Sequence, residues 1–255
     1  MKNLFDIGGK VALVTGGSRG IGEMIATGYV ENGAKVYISS RKKSVCDEIA
    51  AQLAGRGTCI SLPHDLSTME GIRALAADFT AREAKLDILV NNAGASWGAP
   101  LDEYPESGWD KVMDLNTKSV FFLTRELLPQ LRAAATYERP SRVINIASIN
   151  GIEPPSLETY AYSTSKAGCI MLTRHLAKRL AGENILVNAI APGPFPSQMM
   201  AATLAVAGDR IRAANPRGRI GEPEDIAGVA IFLASRASAY TTGAVIPCDG
   251  GTAEM

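Results

Sequence analysis

The sequence has no excess of charge of either sign and no paired cysteines. Lysine plus arginine and aspartate plus glutamate number 26 each, and no basic block or tail occurs in the 255 residues. A nucleic-acid partner is therefore not expected, because such partners select for clustered positive charge. Four cysteines are scattered without Cys-x-x-Cys or His-paired spacing. They are typical of small buried residues in a reducing compartment, and they predict no metal site.

The sequence also has no apolar run of membrane-spanning length, and residues 1–10 lack the apolar stretch of a signal peptide. We therefore expect a soluble, cytoplasmic protein that does not enter a membrane. No repeat, low-complexity tract or Pro/Ser-rich linker divides the chain, and 46% of its residues are hydrophobic. This length and composition predict one domain, residues 1–255, around a single large core.

Short apolar runs alternate with longer stretches in which apolar residues recur at helical spacing. Most of the short runs are apolar at consecutive positions, as expected of strands covered by helices on both faces. The alternation predicts an α/β fold with a parallel, doubly wound, seven-stranded sheet and helices on both faces. The predicted strands are Val11–Thr15, Lys35–Ser39, Thr58–Leu62, Leu86–Asn91, Arg142–Ala147, Leu186–Ile190 and Ala244–Cys248. The predicted helices are Ile21–Asn32, Val45–Ala54, Met69–Arg82, Trp109–Ala135, Tyr162–Ala181 and Glu224–Ser235.

One long segment after the sixth strand, Pro192–Arg219, breaks this alternation. It is rich in proline, glycine, alanine and methionine. A connection of this length within a compact domain is more often a lid or binding loop than an idle link. We therefore predict a lid at about residues 193–219.

The most informative segment follows the first predicted strand, where Thr15 leads into Gly-Gly-Ser-Arg-Gly-Ile-Gly. A turn between the end of a strand and the start of a helix presents backbone N–H groups and the positive end of the helix dipole. Gly16 and Gly20 allow the chain to turn without a Cβ, and Gly22 allows the helix to pack closely on the strand. This pattern predicts a site for a dinucleotide pyrophosphate; a tight turn without a ligand is the alternative. The residues of the predicted site are Gly16, Ser18, Arg19, Gly20, Ile21 and Gly22.

The end of the second strand indicates which dinucleotide is favoured. Residues 39–43 read Ser-Ser-Arg-Lys-Lys and contain no acid, whereas an NAD enzyme usually has a carboxylate there for the ribose hydroxyls. Arg41 can bind a 2′-phosphate through its fork, and Ser40 can donate to it. Arg19 in the glycine turn is expected to face the same region. NADP(H) is therefore favoured, although residues 41–43 could instead be a solvated helix start.

Two further strand ends fit a nucleotide. Asp65-Leu66 follows the third strand, where a side-chain oxygen could accept from the adenine amino group. Asp65 could equally be the N-cap of the next helix. Asn92, Ala93 and Gly94 close the fourth strand with small residues and an amide, so a flat ring or a ribose can approach the backbone closely.

Tyr162 and Lys166 lie four residues apart at the start of a predicted helix and therefore share one face. A tyrosine alone is a poor acid–base catalyst at neutral pH, but a nearby lysine ammonium stabilises the phenolate. Tyr160 lacks such a partner, because a threonine occupies the matching position. Ser148 follows the fifth strand and could hydrogen-bond a substrate oxygen. Asn116 lies inside the predicted helix 109–135, where an amide is most simply an exposed or kink-forming residue.

Together these motifs resemble the short-chain dehydrogenase/reductases, in order and over nearly the full length. The matching positions are Thr15–Gly22, Asn91–Gly94, Asn116, Ser148, Tyr162–Lys166, Pro192-Gly193 and Asp249–Gly251. The resemblance implies a single-domain, Rossmann-like fold with a lid after the sixth strand. It also implies cofactor contacts from Pro192, Gly193, Ser197, Tyr162 and Lys166. Ser197 stands where a threonine is common in the family, and a serine can make the same hydrogen bond.

The resemblance further implies a catalytic tetrad of Asn116, Ser148, Tyr162 and Lys166. In that tetrad Tyr162 is the proton donor or acceptor, and Ser148 orients and polarises the carbonyl. Lys166 binds the nicotinamide ribose and assists the tyrosine, and Asn116 holds a water of the proton relay. Within the family the chain most resembles 3-oxoacyl-[acyl-carrier-protein] reductases, in particular the type found in rhamnolipid biosynthesis.

The expected activity is therefore NADPH-dependent reduction of a 3-oxoacyl thioester, linked to acyl carrier protein or CoA, in fatty acid metabolism. A homotetramer is also implied by the resemblance. The long segment Arg132–Arg142 before the fifth strand departs from the family pattern and could alter contacts with a carrier protein.

Two other functions stay open at this point. The fold and tetrad are shared by enzymes that act on cyclic ketones, quinones, steroids or other secondary alcohols. A non-catalytic NADP-binding regulator is a further alternative, although the intact tetrad argues against it. Apolar lid residues could hold an acyl chain or could simply pack a lid helix. These residues are Phe195, Met199, Met200, Leu204 and Val206.

Overall fold

The computed structural model describes residues 2–253, apart from the side chain of Ala202, and it contains one sheet of seven parallel strands. The strands are β1 (Val11–Thr15), β2 (Lys35–Ser39), β3 (Thr58–Ser61), β4 (Ile88–Asn91), β5 (Ser141–Ile146), β6 (Ile185–Pro192) and β7 (Val245–Cys248). Their spatial order is β3-β2-β1-β4-β5-β6-β7. This order confirms the predicted single-domain, doubly wound fold. It reverses between β1 and β4, and ligands bind such sheets at the carboxyl ends of the strands beside the reversal.

Helices cover both faces of the sheet, as predicted. They are α1 (Gly20–Glu31), α2 (Lys43–Ala54), α3 (Met69–Thr80), α4 (Glu106–Met113), α5 (Ser119–Glu126), α6 (Leu128–Ala134), α7 (Tyr160–Leu180), α8 (Ala201–Ala214) and α9 (Pro223–Ala234). Consecutive residues of β1 enter different cores: Val14 packs with α1, α2 and α9, and Leu13 packs with α3, α5 and α7. Burial on both faces explains the unbroken apolar runs, because successive strand residues point to opposite sides.

The predicted continuous helix Trp109–Ala135 is wrong. The chain forms α4, α5 and α6 instead, with a π-helical turn at Asp114–Lys118 between the first two. A second break falls at Leu127, whose ψ is 3°. Pro129 follows in the first turn of α6, and a proline cannot donate to the carbonyl of the preceding turn, so the helix stops and restarts there.

The segment 193–219 contains α8 and is anchored at both of its ends. At the start, a Cβ on Gly193 would lie 2.7 Å from the Cβ of Asp249, so only glycine allows this approach to the end of β7. At the other end, the buried Asn215 donates to the Asp249 carbonyl at 2.7 Å. The two ends of the segment therefore meet beside β7, and α8 projects between them.

Three of the four cysteines are buried and the fourth, Cys248, is half-buried, all as free thiols. Burial raises the pKa of the Cys59 thiol to about 12, so this thiol stays protonated at neutral pH. Within residues 2–253, no helix combines the length and apolar character needed to cross a bilayer.

Candidate active site

The glycine turn between β1 and α1 has the backbone geometry that its sequence predicts. Gly16 and Gly20 have φ values of 65° and 55°, in the left-handed region that favours glycine. A Cβ on Gly22 would lie 2.3 Å from the Gly16 carbonyl oxygen, so a side chain there would break the turn. Ser18 is buried and Arg19 is exposed between these glycines. The turn therefore opens the amino end of α1 to an anion.

The loop after β4 is locked onto this turn. Thr15 Oγ1 accepts from the backbone N–H groups of Asn92 and Ala93, at 2.9 and 3.0 Å. The Asn92 amide donates back to the Thr15 carbonyl at 2.9 Å. These bonds cross the point at which the strand order reverses, so they fix the two walls of the predicted nucleotide cleft relative to each other.

At the end of β2 the predicted 2′-phosphate residues lie close to the turn. A Cβ on Gly17 would lie 2.7 Å from Ile38, so the turn and the end of β2 are in contact. The Ser40 hydroxyl oxygen is buried without a hydrogen-bond partner among residues 2–253. Arg41 is exposed, and none of the ion pairs in this part of the chain includes it. Both groups are therefore available to a ligand.

Arg19 is placed differently from the expectation that it faces the same region. Its guanidinium donates to Oε1 of Gln198 in the predicted lid, residues 193–219. The lid also touches the turn directly, because a Cβ on Gly20 would lie 3.1 Å from the Ser197 Cβ. Ser197 therefore lies at the turn, where the resemblance places a cofactor contact.

The N-cap interpretation of Asp65 is wrong. The cap of α3 is Thr68, whose hydroxyl accepts from the Gly71 N–H at 3.1 Å. Asp65 instead accepts from the N–H and hydroxyl of Ser67, at 3.0 and 2.8 Å. The Leu66 side chain is buried in the core, which leaves only its backbone for a nucleotide.

These features together fit a phosphorylated dinucleotide. The glycines shape the turn at the amino end of α1, and a side chain at Gly22 would break that turn because its Cβ would clash with the Gly16 carbonyl oxygen. The unpartnered Ser40 hydroxyl and the free Arg41 supply a donor and a fixed positive charge at the end of β2. A buried polar atom without a partner is costly in a folded protein, and a bound phosphate would satisfy it.

Asn116 is buried in the π-helical turn, which rules out the exposed interpretation and leaves the kink. Its Oδ1 accepts from the Ala95 N–H at 2.8 Å, and its Nδ2 donates to the Ala95 carbonyl at 2.9 Å. Nδ2 also donates to the hydroxyl of Ser165 at 3.0 Å. The amide therefore joins the β4 loop to α7, the helix that carries Tyr162 and Lys166.

Lys166 and Tyr162 lie together at the start of α7. The Lys166 ammonium donates to the Ile146 carbonyl at 2.7 Å and is 5.6 Å from the centroid of the Tyr162 ring. A Cβ on Gly94 would lie 3.3 Å from Asn116 Oδ1 and 3.8 Å from Lys166 Nζ, which places these groups at the same loop. The four predicted tetrad residues thus come from the connection after β5, from α7 and from the π-helical turn.

Ser148 lies two residues after the end of β5, at the start of a turn that packs on the same helix. Its hydroxyl accepts from the Asn150 N–H at 3.1 Å and thereby starts the short turn Ile149–Gly151. A Cβ on Gly151 would lie 2.6 Å from the backbone of Lys166, so this turn packs tightly on α7. The Ser148 hydroxyl can still donate, because its only role in the turn is as an acceptor.

Sequence reasoning missed a buried polar network beneath the site. Asn91 in β4 donates to Asn145 in β5 at 2.9 Å and to Thr124 in α5 at 3.1 Å. Asn145 in turn donates to Thr173 in α7 at 2.9 Å. The network fixes two strands and two helices relative to one another. The only sequence signal was a pair of asparagines at equivalent positions of neighbouring strands.

The apolar residues of the predicted lid differ in how far they are buried. Phe195 is 2% exposed and packs in the core, where a Cβ on Gly221 would lie 2.3 Å from its ring. It is therefore structural and not part of a substrate pocket. Met199 and Val206 are 49% and 90% exposed, whereas Met200 and Leu204 are half-buried.

A second apolar surface lies near the catalytic helix. A groove of about 340 Å³ is lined by five apolar or aromatic residues and one acid. Tyr160 and Tyr104 form an edge-to-face pair there, with ring centroids 5.7 Å apart. The lining residues are Leu101, Tyr104, Pro105, Glu106, Trp109 and Tyr160. Within residues 2–253, no group of three or more His, Cys, Asp or Glu side chains is placed to hold a metal ion.

Comparisons with known proteins agree with this geometry. The profile of a family described as enoyl-(acyl carrier protein) reductase matches residues 16–253. The rhamnolipids biosynthesis 3-oxoacyl-[acyl-carrier-protein] reductase of Pseudomonas aeruginosa is 52% identical, over 98% of this chain and 99% of the relative. The 2-dehydro-3-deoxy-D-gluconate 5-dehydrogenase of Dickeya dadantii is 38% identical, over 98% and 97%. The Pseudomonas aeruginosa RhlG/NADP active-site complex has a TM-score of 0.95 at 52% identity, with 99% of each chain covered.

Proposed function

The chain belongs to the short-chain dehydrogenase/reductase family, and from this membership we propose that it reduces a 3-oxoacyl thioester to the 3-hydroxyacyl thioester with NADPH. The observation that carries the proposal is that Lys166 lies beside the Tyr162 ring and, with Asn116, at the Gly94 loop, while the turn that Ser148 starts packs on Lys166. The 3-oxoacyl-[acyl-carrier-protein] reductase among the relatives and the NADP complex among the solved structures support the substrate and the cofactor.

Each tetrad residue has a separate task in this proposal. Bound NADPH supplies the hydride that reduces the carbonyl carbon. Tyr162 gives its hydroxyl proton to the carbonyl oxygen, and Ser148 donates a hydrogen bond that holds this oxygen in place. The Lys166 ammonium, held by the Ile146 carbonyl, stabilises the phenolate that remains on Tyr162.

Asn116 contributes to the proposed reaction by holding a water molecule in position. Both Nδ2 protons are used by Ala95 and Ser165, and Oδ1 accepts one bond from Ala95. An amide oxygen can accept two hydrogen bonds. We propose that the remaining acceptor site on Oδ1, close to Lys166, holds the water that returns a proton to Tyr162.

In this proposal the pyrophosphate would be held by Gly16, Ser18, Gly20, Ile21 and Gly22. The 2′-phosphate would be held by Ser40, Arg41 and Arg19. The adenosine would be surrounded by Asp65, Leu66, Asn92, Ala93 and Gly94. Pro192, Gly193 and Ser197 would contact the nicotinamide end together with Tyr162 and Lys166. The Ser40 hydroxyl, which has no partner among the described residues, and the left-handed backbone of Gly16 and Gly20 support these assignments.

The surfaces around the site favour an acyl chain over a sugar acid such as the substrate named for the Dickeya relative. Glu106 is the one charged residue of the groove beside Tyr160, and a sugar acid would need a cation there. The lid adds Met199 and Val206, both exposed. An apolar chain that covers such side chains gains about 0.8 kcal/mol for each buried methylene.

The proposal is tested by comparing Tyr162→Phe with Tyr160→Phe. Tyr162→Phe should abolish nearly all turnover while NADPH still binds, because only the proton donor is lost. Tyr160→Phe should be much milder, because this exposed side chain lies in the groove and its hydroxyl donates to Glu158. NADPH oxidation is followed with 3-oxoacyl thioesters, a quinone and a decalone. Equal losses in both variants with the fold intact, or turnover of the quinone or decalone alone, would contradict the proposal.

We further propose acyl carrier protein as the carrier and a homotetramer as the assembly. Exposed apolar side chains on two helices support association: Phe121 on α5 is 40% exposed and Met171 on α7 is 61% exposed. Light scattering of the wild type and of Phe121→Ser measures the mass. A monomeric wild type would exclude the tetramer, and equal kcat/KM on carrier-bound and CoA thioesters would exclude carrier recognition.

A further inference from the structure

The glycine turn is in contact with two different parts of the molecule on the two sides of Arg19. On one side, Gly17 lies against Ile38 at the end of β2. On the other, Gly20 lies against Ser197 at the start of the lid. Arg19 stands between these contacts with an extended backbone, φ −170° and ψ 158°. Its side chain therefore starts between the end of β2 and the predicted lid.

In the structure the side chain is directed to the lid. The Arg19 guanidinium donates to Oε1 of the exposed Gln198. At the end of β2, the other two groups proposed for the 2′-phosphate have no such partner: the Ser40 hydroxyl is unsatisfied and Arg41 forms no ion pair among the described residues. Of the three groups proposed for this phosphate, Arg19 is thus the one already engaged, and its partner belongs to the lid.

We propose that Gln198 determines the affinity for NADP(H) by competing with the 2′-phosphate for Arg19. The inference rests on the proposed function, because it takes NADP(H) as the cofactor. A phosphate dianion forms charge-assisted, two-pronged hydrogen bonds with a guanidinium, whereas the glutamine offers one neutral oxygen. The phosphate therefore displaces Gln198, and the lost lid contact lowers the observed affinity.

The competition predicts in which direction each Gln198 variant changes the affinity for NADP⁺, and a merely structural role of Gln198 does not predict this direction. Gln198→Ala removes the competitor, so NADP⁺ should bind about two- to fivefold more tightly, as expected for loss of an exposed pair. Gln198→Glu gives Arg19 a charged competitor and should weaken NADP⁺ binding by about the same factor. NAD⁺ has no 2′-phosphate, and both variants should bind it like the wild type.

The experiment measures dissociation constants by calorimetry on the full-length protein, without turnover. The probes are NADP⁺, NAD⁺, 2′,5′-ADP and 5′-AMP; the last two lack the nicotinamide end and differ from each other only in the 2′-phosphate. Gln52→Ala is the matched control, because Gln52 is also an exposed glutamine, but its side chain hydrogen-bonds to Glu48 and not to Arg19. In an Arg19→Ala background, Gln198→Ala should no longer change any of the four constants.

The outcomes separate the inference from the proposed function. If Arg19→Ala weakens 2′,5′-ADP binding but Gln198→Ala leaves it unchanged or weakens it, the competition is refuted and the NADP(H) assignment stands. If neither Arg19→Ala nor Arg41→Ala weakens 2′,5′-ADP binding, the 2′-phosphate assignment itself fails. Opposite shifts for Gln198→Ala and Gln198→Glu, confined to NADP⁺ and 2′,5′-ADP, which carry the 2′-phosphate, support the inference.

Discussion

Ser165 is the link between the catalytic helix and Asn116, and its removal should be measurable both in stability and in turnover. The side chain is fully buried. Its hydroxyl accepts from Asn116 Nδ2 at 3.0 Å and donates to the Tyr162 carbonyl at 2.7 Å. Ser165→Ala therefore leaves one N–H of a buried amide without a partner.

The size of the effect follows from that orphaned N–H group. Desolvating a buried donor without a partner costs about 1–3 kcal/mol. Alanine regains roughly 0.5 kcal/mol through its higher helix propensity, so the unfolding free energy should fall by about 0.5–2.5 kcal/mol. Ser163→Ala in the same helix is the matched control, because its hydroxyl does not contact Asn116, and it should stay within about 0.5 kcal/mol of the wild type. Urea unfolding of the three proteins measures these differences.

Turnover should fall as well, since Asn116 orients the loop that carries Gly94 against Lys166. We expect kcat to drop about tenfold, because small displacements of catalytic groups are costly, with KM for NADPH nearly unchanged. A double-mutant cycle with Asn116→Ala should give a coupling energy of at least about 0.5 kcal/mol. Additive effects, or equal stability of Ser165→Ala and Ser163→Ala, would refute the reasoning.

Three further predictions concern the cofactor, the lid and pH. Arg41→Ala should raise the KM for NADPH about ten- to a hundredfold with little change for NADH, and Ser40→Asp should favour NADH; a wild type that uses both cofactors equally would contradict this. Met200→Ser or Leu204→Ser should lower kcat/KM for long 3-oxoacyl chains by about 0.8 kcal/mol per exposed methylene and leave the shortest substrate unaffected. Equal losses at all chain lengths would mean that these residues only support the fold. The Arg219 guanidinium lowers the pKa of Asp225 to about 2, so this pair stabilises the fold above the unfolded carboxyl value of about 4 and is lost as pH falls through 2. The stability advantage of the wild type over Asp225→Asn should disappear over that range in unfolding measured against pH.

The strands could be predicted closely because burial on two faces leaves an unambiguous pattern. The bounds of β1 and β2 match the prediction, and β3 ends one residue earlier than predicted, at Ser61. The glycine turn was equally readable, since its φ values and close approaches exclude other residues. Such features are local, so a short window of sequence contains all the information that determines them.

The polar contacts that position the site could not be predicted in this way. Asn116 and Ser165 are 49 residues apart in the chain, and Asn91 and Asn145 are 54 apart. Serines and asparagines occur at caps, turns and surfaces as readily as in buried networks. Their pairing depends on the register of β4 against β5, which a single sequence does not display. The catalytic and cofactor roles assigned by resemblance stay predictions until the variants are measured.

The π-helical turn, in contrast, did leave a trace that helical periodicity alone overlooked. The buried apolar residues of this region are Val112, Leu115, Val120, Leu123, Leu127 and Leu131. Their spacing is three or four residues throughout, except for a step of five between Leu115 and Val120. A regular helix would turn one of these two residues away from the core, and one extra residue in the turn keeps both inside. That extra residue also directs the Asn116 amide inward, toward Ala95 and Ser165. A five-residue step in an otherwise regular helix, with an asparagine inside it, therefore indicates both the break in the helix and the polar group that the break serves.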